Sequence, residues 1–113
     1  MNPVVGLDVS KGESAEAASA SSSISSGQNM GNLSSSIYVG QGNVYSLMVV
    51  NQSNSSDVYL NVSRNGTVIY STVPISRNQV WSQKYTSTNG GNYRIQLGCV
   101  SGTSCNAGAT ISN

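Results

Sequence analysis

The chain has 113 residues, a length that supports a single domain. Only 8% of the residues are charged, and the formal net charge is +1. This composition excludes the clustered Lys and Arg side chains with which proteins bind nucleic acids and anionic membrane surfaces. No run of apolar residues approaches the eighteen or so of a membrane span. We therefore predict no nucleic-acid partner and no membrane span.

The chain opens with MNPVVGLDVSKGES. This stretch resembles the N-terminus of bacterial transposases of the IS110 type, in which a G-[IL]-D-V-S-K strand presents the first acid of a metal-binding RNase H-like site. On that resemblance Asp8 would be the carboxylate. A two-metal nuclease needs several converging carboxylates, yet Asp57 is the only acid after Glu16. We therefore predict that Asp8 has no catalytic role, that the protein is not an enzyme, and that it holds no metal and no cofactor.

Two tripeptides that follow, AEA at 15–17 and ASA at 18–20, have the A-x-A form of a signal-peptidase site. The residues before them lack the basic start and the long apolar run of a signal peptide. Two interpretations stay open. The mature secreted protein begins near residue 18 or 21 behind a foreign leader, or residues 1–20 are a native polar arm.

We predict a polar N-terminal arm over residues 1–27 and one β-sandwich domain over 28–113. Ile24 is the only large apolar residue between Val9 and Met30. It is therefore the candidate assembly anchor, through which the arm would add a strand to a neighbour's sheet. In the alternative interpretation, this segment pairs with its own domain as a first strand.

From residue 33 onward, short β-rich runs separated by turn residues predict an all-β fold, an antiparallel, jelly-roll-like sandwich of about seven to eight strands. DVYLNVS and NYRIQLGC alternate apolar and polar residues, so each has one buried face. VYSLMVV is apolar on both parities and is placed as a central strand, whereas SIYV and AGATIS are placed at edge or outer positions. The predicted strands cover residues 36–39, 44–50, 57–63, 67–73, 79–86, 92–99 and 107–112, with a further candidate at 22–26.

Asn65-Gly66 lies between two of these runs. Both residue types tolerate positive φ, so the pair predicts a two-residue hairpin with a type I′ turn. No helix of more than one turn is expected.

Cys99 and Cys105 stand six residues apart, with Ser-Gly-Thr-Ser between them. Each shares the inward parity of its own strand, so a hairpin would bring both onto one face and allow a disulfide. The alternative is a pair of buried thiols, while zinc is disfavoured because the chain has no histidine. A disulfide indicates an oxidising compartment, and we predict an extracellular or cell-surface location.

Trp81 and Tyr85 are four residues apart and share one face of a predicted strand. Such a pair is a candidate ligand-stacking platform for a sugar ring. Packing in the core or across strands is the alternative that strand composition favours.

The motifs at Tyr45–Val49, Asn65-Gly66 and Gly90–Leu97 resemble bacterial secreted jelly-roll domains of the pre-peptidase C-terminal and accessory-module kind. The acidic calcium-binding positions often found in that group are missing. A weaker similarity is to small Cys-containing jelly-roll subunits of bacterial surface and endospore fibres, in which a flexible N-terminal arm links one subunit to the next. The resemblance implies a secreted bacterial β-sandwich.

Two functions fit these features. The first is a structural subunit of an extracellular or cell-surface assembly, self-assembling through its N-terminal arm, whose partners are further copies of the chain. The alternative is a secreted accessory module without catalytic activity that binds carbohydrate or another surface, such as a surface polysaccharide.

Overall fold

The computed structural model describes residues 18–113, and these form eight β-strands and no helix. The all-β class and the predicted number of strands are confirmed. In chain order the strands are β1 (Ser19–Ile24), β2 (Ile37–Val39), β3 (Val44–Asn51), β4 (Val58–Arg64), β5 (Thr67–Ser71), β6 (Val80–Thr86), β7 (Gly91–Cys99) and β8 (Ala107–Ser112).

The strands form two four-stranded sheets that pack face to face. Sheet I has the order β1-β8-β3-β6 and sheet II the order β2-β7-β4-β5. Every neighbouring pair is antiparallel. The first strand pairs with the last, and the order within each sheet is that of a jelly roll, which confirms the predicted sandwich.

The core lies between the sheets and follows the predicted alternation. In β4 the inward residues are Val58, Leu60 and Val62, all fully buried. Their neighbours Tyr59 and Asn61 point outward and are partly exposed. Each large apolar side chain buried in this way stabilises the fold by about 1.5–3 kcal/mol. The other large buried side chains of the core are Ile24, Ile37, Val39, Tyr45, Leu47, Val49, Ile75, Tyr93, Ile95, Leu97 and Ile111.

The sandwich begins earlier than the predicted boundary at residue 28. Ser19–Ile24 pairs with β8 along its whole length, from Ser19 opposite Ser112 to Ile24 opposite Ala107. Ile24 is 3% exposed and lies in the core of its own domain. This is the alternative arrangement, in which the segment pairs with its own domain as a first strand. Residues 19–24 therefore belong to the sandwich and not to an arm. The rest of that arm, residues 1–17, lies outside the described residues.

Because β1 pairs with β8, β8 is an interior strand of sheet I and the prediction of an edge or outer position for it is wrong. β2 lies at an edge of sheet II, as predicted. β3 is a central strand, as predicted, but only one of its two apolar parities is buried: Val44 and Met48 are exposed on the outer face.

The segment 25–36 between β1 and β2 crosses from sheet I to sheet II and runs beside β7. Gly31 N–H donates to Leu97 O at 2.8 Å, and Ser34 N–H donates to Ile95 O at 2.9 Å. A Cβ atom at position 31 would collide with the carbonyl group of Ser23, so only glycine fits where the crossing chain passes β1.

Two buried serine hydroxyls complete the hydrogen bonding of β7 on this side. Leu97 N–H donates to Ser22 Oγ at 3.1 Å, and Ile95 N–H donates to Ser34 Oγ at 2.9 Å. Ser22 Oγ in turn donates to Asn32 O at 2.6 Å. Ser22 belongs to sheet I and Leu97 to sheet II, so this hydroxyl joins the two sheets.

The turn between β4 and β5 confirms the predicted hairpin. Asn65 has a φ of 51° and Gly66 a φ of 87°. Positive φ at both central residues is the type I′ geometry that matches the twist of the flanking strands.

The contribution of the Ser22 hydroxyl to stability can be measured by mutation. Ser22→Ala leaves the buried Leu97 N–H without its acceptor, which is expected to lower the free energy of unfolding by about 1–3 kcal/mol. The matched control is Ser21→Ala on the exposed face of the same strand, expected to change it by less than about 0.5 kcal/mol. Urea unfolding of both variants measures the difference, and equal losses would contradict the role assigned to Ser22.

Candidate functional site

The predicted disulfide is present. The sulfur atoms of Cys99 and Cys105 are 2.03 Å apart and the Cα atoms 5.8 Å apart. Cys105 is fully buried and Cys99 is 8% exposed. A bridge shielded in this way is typical of proteins that fold in an oxidising compartment.

The hairpin predicted between the two cysteines is wrong. Cys99 ends β7 in sheet II, whereas Cys105 precedes β8 in sheet I, so β7 and β8 do not form a hairpin. The loop between the cysteines crosses from one sheet to the other. The disulfide therefore closes this crossing at one end of the sandwich.

Removal of the bridge is expected to destabilise the protein. Closing a ring this short contributes about 2 kcal/mol in the chain-entropy account, so the double variant Cys99→Ala, Cys105→Ala should lose that much unfolding free energy. Urea unfolding of the variant and of the native protein measures the change. Intact-mass analysis after alkylation without reductant is the control, since two alkylated thiols in the native protein would show that no bridge forms.

Trp81 and Tyr85 lie on one face of β6, and that face points inward. Their strand partners are Val49 and Tyr45, both buried. Trp81 and Tyr85 are half-buried and pack against the core. The placement agrees with the core-packing interpretation, and ligand stacking on the two rings stays a prediction.

Tyr85 belongs to a cluster of tyrosines at the side of the sandwich formed by β5 and β6. Its ring centroid lies 5.8 Å from that of Tyr45 and 5.1 Å from that of Tyr70. Tyr45 in turn lies 4.7 Å from Tyr93. The hydroxyls of Tyr45 and Tyr70 are 3.3 Å apart, and that of Tyr93 is 2.7 Å from Ser87 Oγ. The hydroxyls of Tyr45 and Tyr70 thus form one hydrogen bond with each other, while Tyr93 pairs with Ser87.

Burial makes two of these phenols harder to ionise. It raises the pKa of Tyr45 above its ordinary value, although the hydrogen bond with Tyr70 acts in the opposite direction. Burial also raises the pKa of Tyr70 far above the ordinary range, and there the hydrogen bond with Tyr45 adds to the rise.

The raised pKa of Tyr70 predicts a loss of stability in alkali. An unfolded tyrosine releases its proton near pH 10, so the contribution of a folded phenol with a higher pKa is complete below about pH 10 and is lost as the pH rises above it. We expect the thermal unfolding midpoint of the native protein to fall more steeply than that of Tyr70→Phe above about pH 10. Thermal melts from about pH 8 to pH 11 check this, and parallel curves would contradict it.

The outer face of sheet I is nearly uncharged. β1, β8 and β3 place small hydroxyl side chains there, among them Ser21, Thr110 and Ser46. Met48 is 48% exposed and lies beside a groove of about 640 Å³. Lys84 is the one charged residue that lines this groove within the described range. In the sequence, this face is indicated by the second set of alternating apolar residues in VYSLMVV, which the fold leaves exposed. The exposed apolar residues of the face are Val44, Met48, Val50 and Val80.

β6 borders this face, and no strand within residues 18–113 pairs with its outer edge. Ser87 N–H donates to Asn43 O and Asn51 N–H donates to Gln79 O, which identifies these as the hydrogen-bonded pairs between β3 and β6. Antiparallel ladders alternate bonded and non-bonded pairs. The backbone N–H and C=O groups of the even-numbered residues Val80, Ser82, Lys84 and Thr86 therefore point away from β3 along a free edge.

No cluster of three His, Cys, Asp or Glu side chains that could hold a metal ion occurs within residues 18–113. Asp8, the carboxylate considered from the sequence, lies outside this range. The described part of the chain also contains no helix long and apolar enough to cross a membrane. Comparison with known proteins finds no matching family model and no matching curated protein.

Proposed function

We propose that this protein is a non-catalytic structural subunit of an extracellular or cell-surface assembly. The observation that carries the proposal is the free edge of β6 beside the uncharged outer face of sheet I. An unpaired edge strand presents a row of donors and acceptors that another β-strand can satisfy. Copies of the chain would associate through this edge.

β6 offers more unpaired backbone than the other three edge strands. It has seven residues, whereas β2 has three. β5 has five and is irregular beside Val62 and Ser63. β1 has six, and Asn32 covers both backbone groups of Ser23 on its free side. Lys84 is the only charged side chain on β6, although charges commonly block such edges.

The occupant we propose for this edge is β6 of a second copy. The anchor expected at Ile24 is used inside its own domain and is not available to a neighbour. Two β6 strands can pair antiparallel about Gln83, which places Val80 of each copy opposite Thr86 of the other. The exposed apolar residues of the adjacent outer face would then become continuous between the copies.

An extracellular location is supported by the disulfide and by the uncharged Ser- and Asn-rich composition, with 23 serines and 13 asparagines in the chain. It also agrees with the resemblance to bacterial secreted jelly-roll domains. A small domain outside the cell gains stability from a covalent link between its sheets.

Blocking the edge tests the proposal. Ser82→Pro removes one outward-pointing N–H without removing a bond to β3, since that N–H faces the free edge. The matched control Ser82→Ala keeps the N–H. We expect the native chain and Ser82→Ala to self-associate as concentration rises, and Ser82→Pro to do so at least tenfold more weakly. Sedimentation velocity measures association, and circular dichroism checks that each variant is folded.

A native chain that stays monomeric at every concentration would contradict the proposal, as would a folded Ser82→Pro variant that associates like the native chain. A second experiment distinguishes β6 of a second copy from residues 1–17 of a neighbour as the partner of this edge. A chain that starts at Ala18 should still self-associate if β6 pairs with β6, whereas loss of self-association would show that residues 1–17 fill the edge.

A further inference from the structure

The outer face of sheet II carries a groove of about 520 Å³, on the opposite side of the sandwich from the outer face of sheet I. Arg94 and Gln96 of β7 lie along it, and Ser63 of β4 is the strand partner of Arg94. Leu33, before β2, and Val68, on β5, lie at its two sides. This groove has a different chemistry from the hydroxyl-rich face of sheet I, because amides and a guanidinium line it.

The amide groups of this groove are held in place by the fold. Gln96 Nε2 donates to Gly31 O at 2.9 Å. Asn65 Oδ1 accepts a hydrogen bond from Asn92 N–H at 2.9 Å, and its position is fixed by the hairpin turn. Groups that are already ordered lose little conformational entropy when a ligand binds.

Among the residues that the structure describes, Arg94 is the only charged one that lines the groove. Asp57 is the only carboxylate side chain among residues 18–113, and it does not line the groove. No ion pair therefore neutralises Arg94 within the described part of the chain. A guanidinium presents parallel N–H donors that fit a carboxylate in bidentate geometry.

The apolar side chains complete the match to a sugar. Leu33 is 51% exposed and Val68 is 56% exposed. Pyranose rings have apolar C–H faces as well as hydroxyls, so they can contact these side chains while the amides bind the hydroxyls. We propose that the groove binds an oligosaccharide that carries carboxylate groups, a polyuronate, with Arg94 on a carboxylate and Asn65 and Gln96 on the hydroxyls. This binding goes beyond the structural role proposed above and does not depend on it.

Calorimetric titration with oligogalacturonate tests the proposal, and the fully methyl-esterified oligosaccharide is the matched uncharged ligand. The native protein is expected to bind the acid form at least tenfold more tightly than the ester, because a charge-assisted hydrogen bond is lost in the ester. Arg94→Gln should weaken binding of the acid form at least tenfold. The control Arg77→Gln removes one positive charge from a loop outside the groove and should change binding less than twofold.

Nuclear magnetic resonance shifts of the Asn65 and Gln96 side-chain amides supply a second readout that locates the bound ligand. Shifts confined to the groove would support the proposal. Equal affinity for acid and ester, equal effects of Arg94→Gln and Arg77→Gln, shifts at Trp81 instead of the groove, or no binding by the native protein would each overturn it.

Discussion

The hydrogen bond from Leu97 N–H to the Ser22 hydroxyl joins sheet II to sheet I inside the sandwich. Strand β7 is paired with β4 on one side, but in its middle no regular strand lies on the other. There the Ser22 hydroxyl of β1 accepts the hydrogen bond that a neighbouring strand would otherwise accept, and this bond links sheet I to sheet II. The β1 side of the sandwich is thereby closed, while the β5 and β6 side is covered by tyrosine rings and ends in an unpaired edge. The strand order thus closes the β1 side of the sandwich and leaves the β6 edge without a partner strand among residues 18–113.

Much of the fold could be predicted from hydrophobic alternation. β4 and β7 carry large apolar residues at every second position, and Asn65-Gly66 specifies its own turn, so these elements depend mainly on local sequence. β1 could not be recognised so clearly, because its inward positions are Ala20, Ser22 and Ile24. A buried serine is favourable only when a specific donor meets it, and that donor belongs to a strand 75 residues away.

In the candidate sites, too, local sequence predicts some features, whereas others depend on contacts between distant segments. The disulfide partners could be predicted because only two cysteines exist, but the hairpin offered as the reason was wrong, since residue parity does not say to which sheet a strand belongs. The shared face of Trp81 and Tyr85 followed from parity, whereas its inward direction depends on β6 pairing with β3. The groove around Arg94 combines residues from three separate stretches, 33–36, 63–68 and 92–96, and no local pattern brings these together.

The two ends of the described chain lie side by side, with Asn113 N–H donating to Ala18 O at 3.1 Å and Ala18 N–H donating to Asn113 Oδ1 at 2.7 Å. Tension applied between these residues acts across the β1–β8 ladder at its end, so the hydrogen bonds break one pair at a time, as in a zipper. In the proposed β6–β6 pair, tension along the strands would instead load a row of hydrogen bonds in parallel, as in shear. Two copies joined through β6 would therefore resist separation along the strands more strongly than the β1–β8 ladder resists opening from its end.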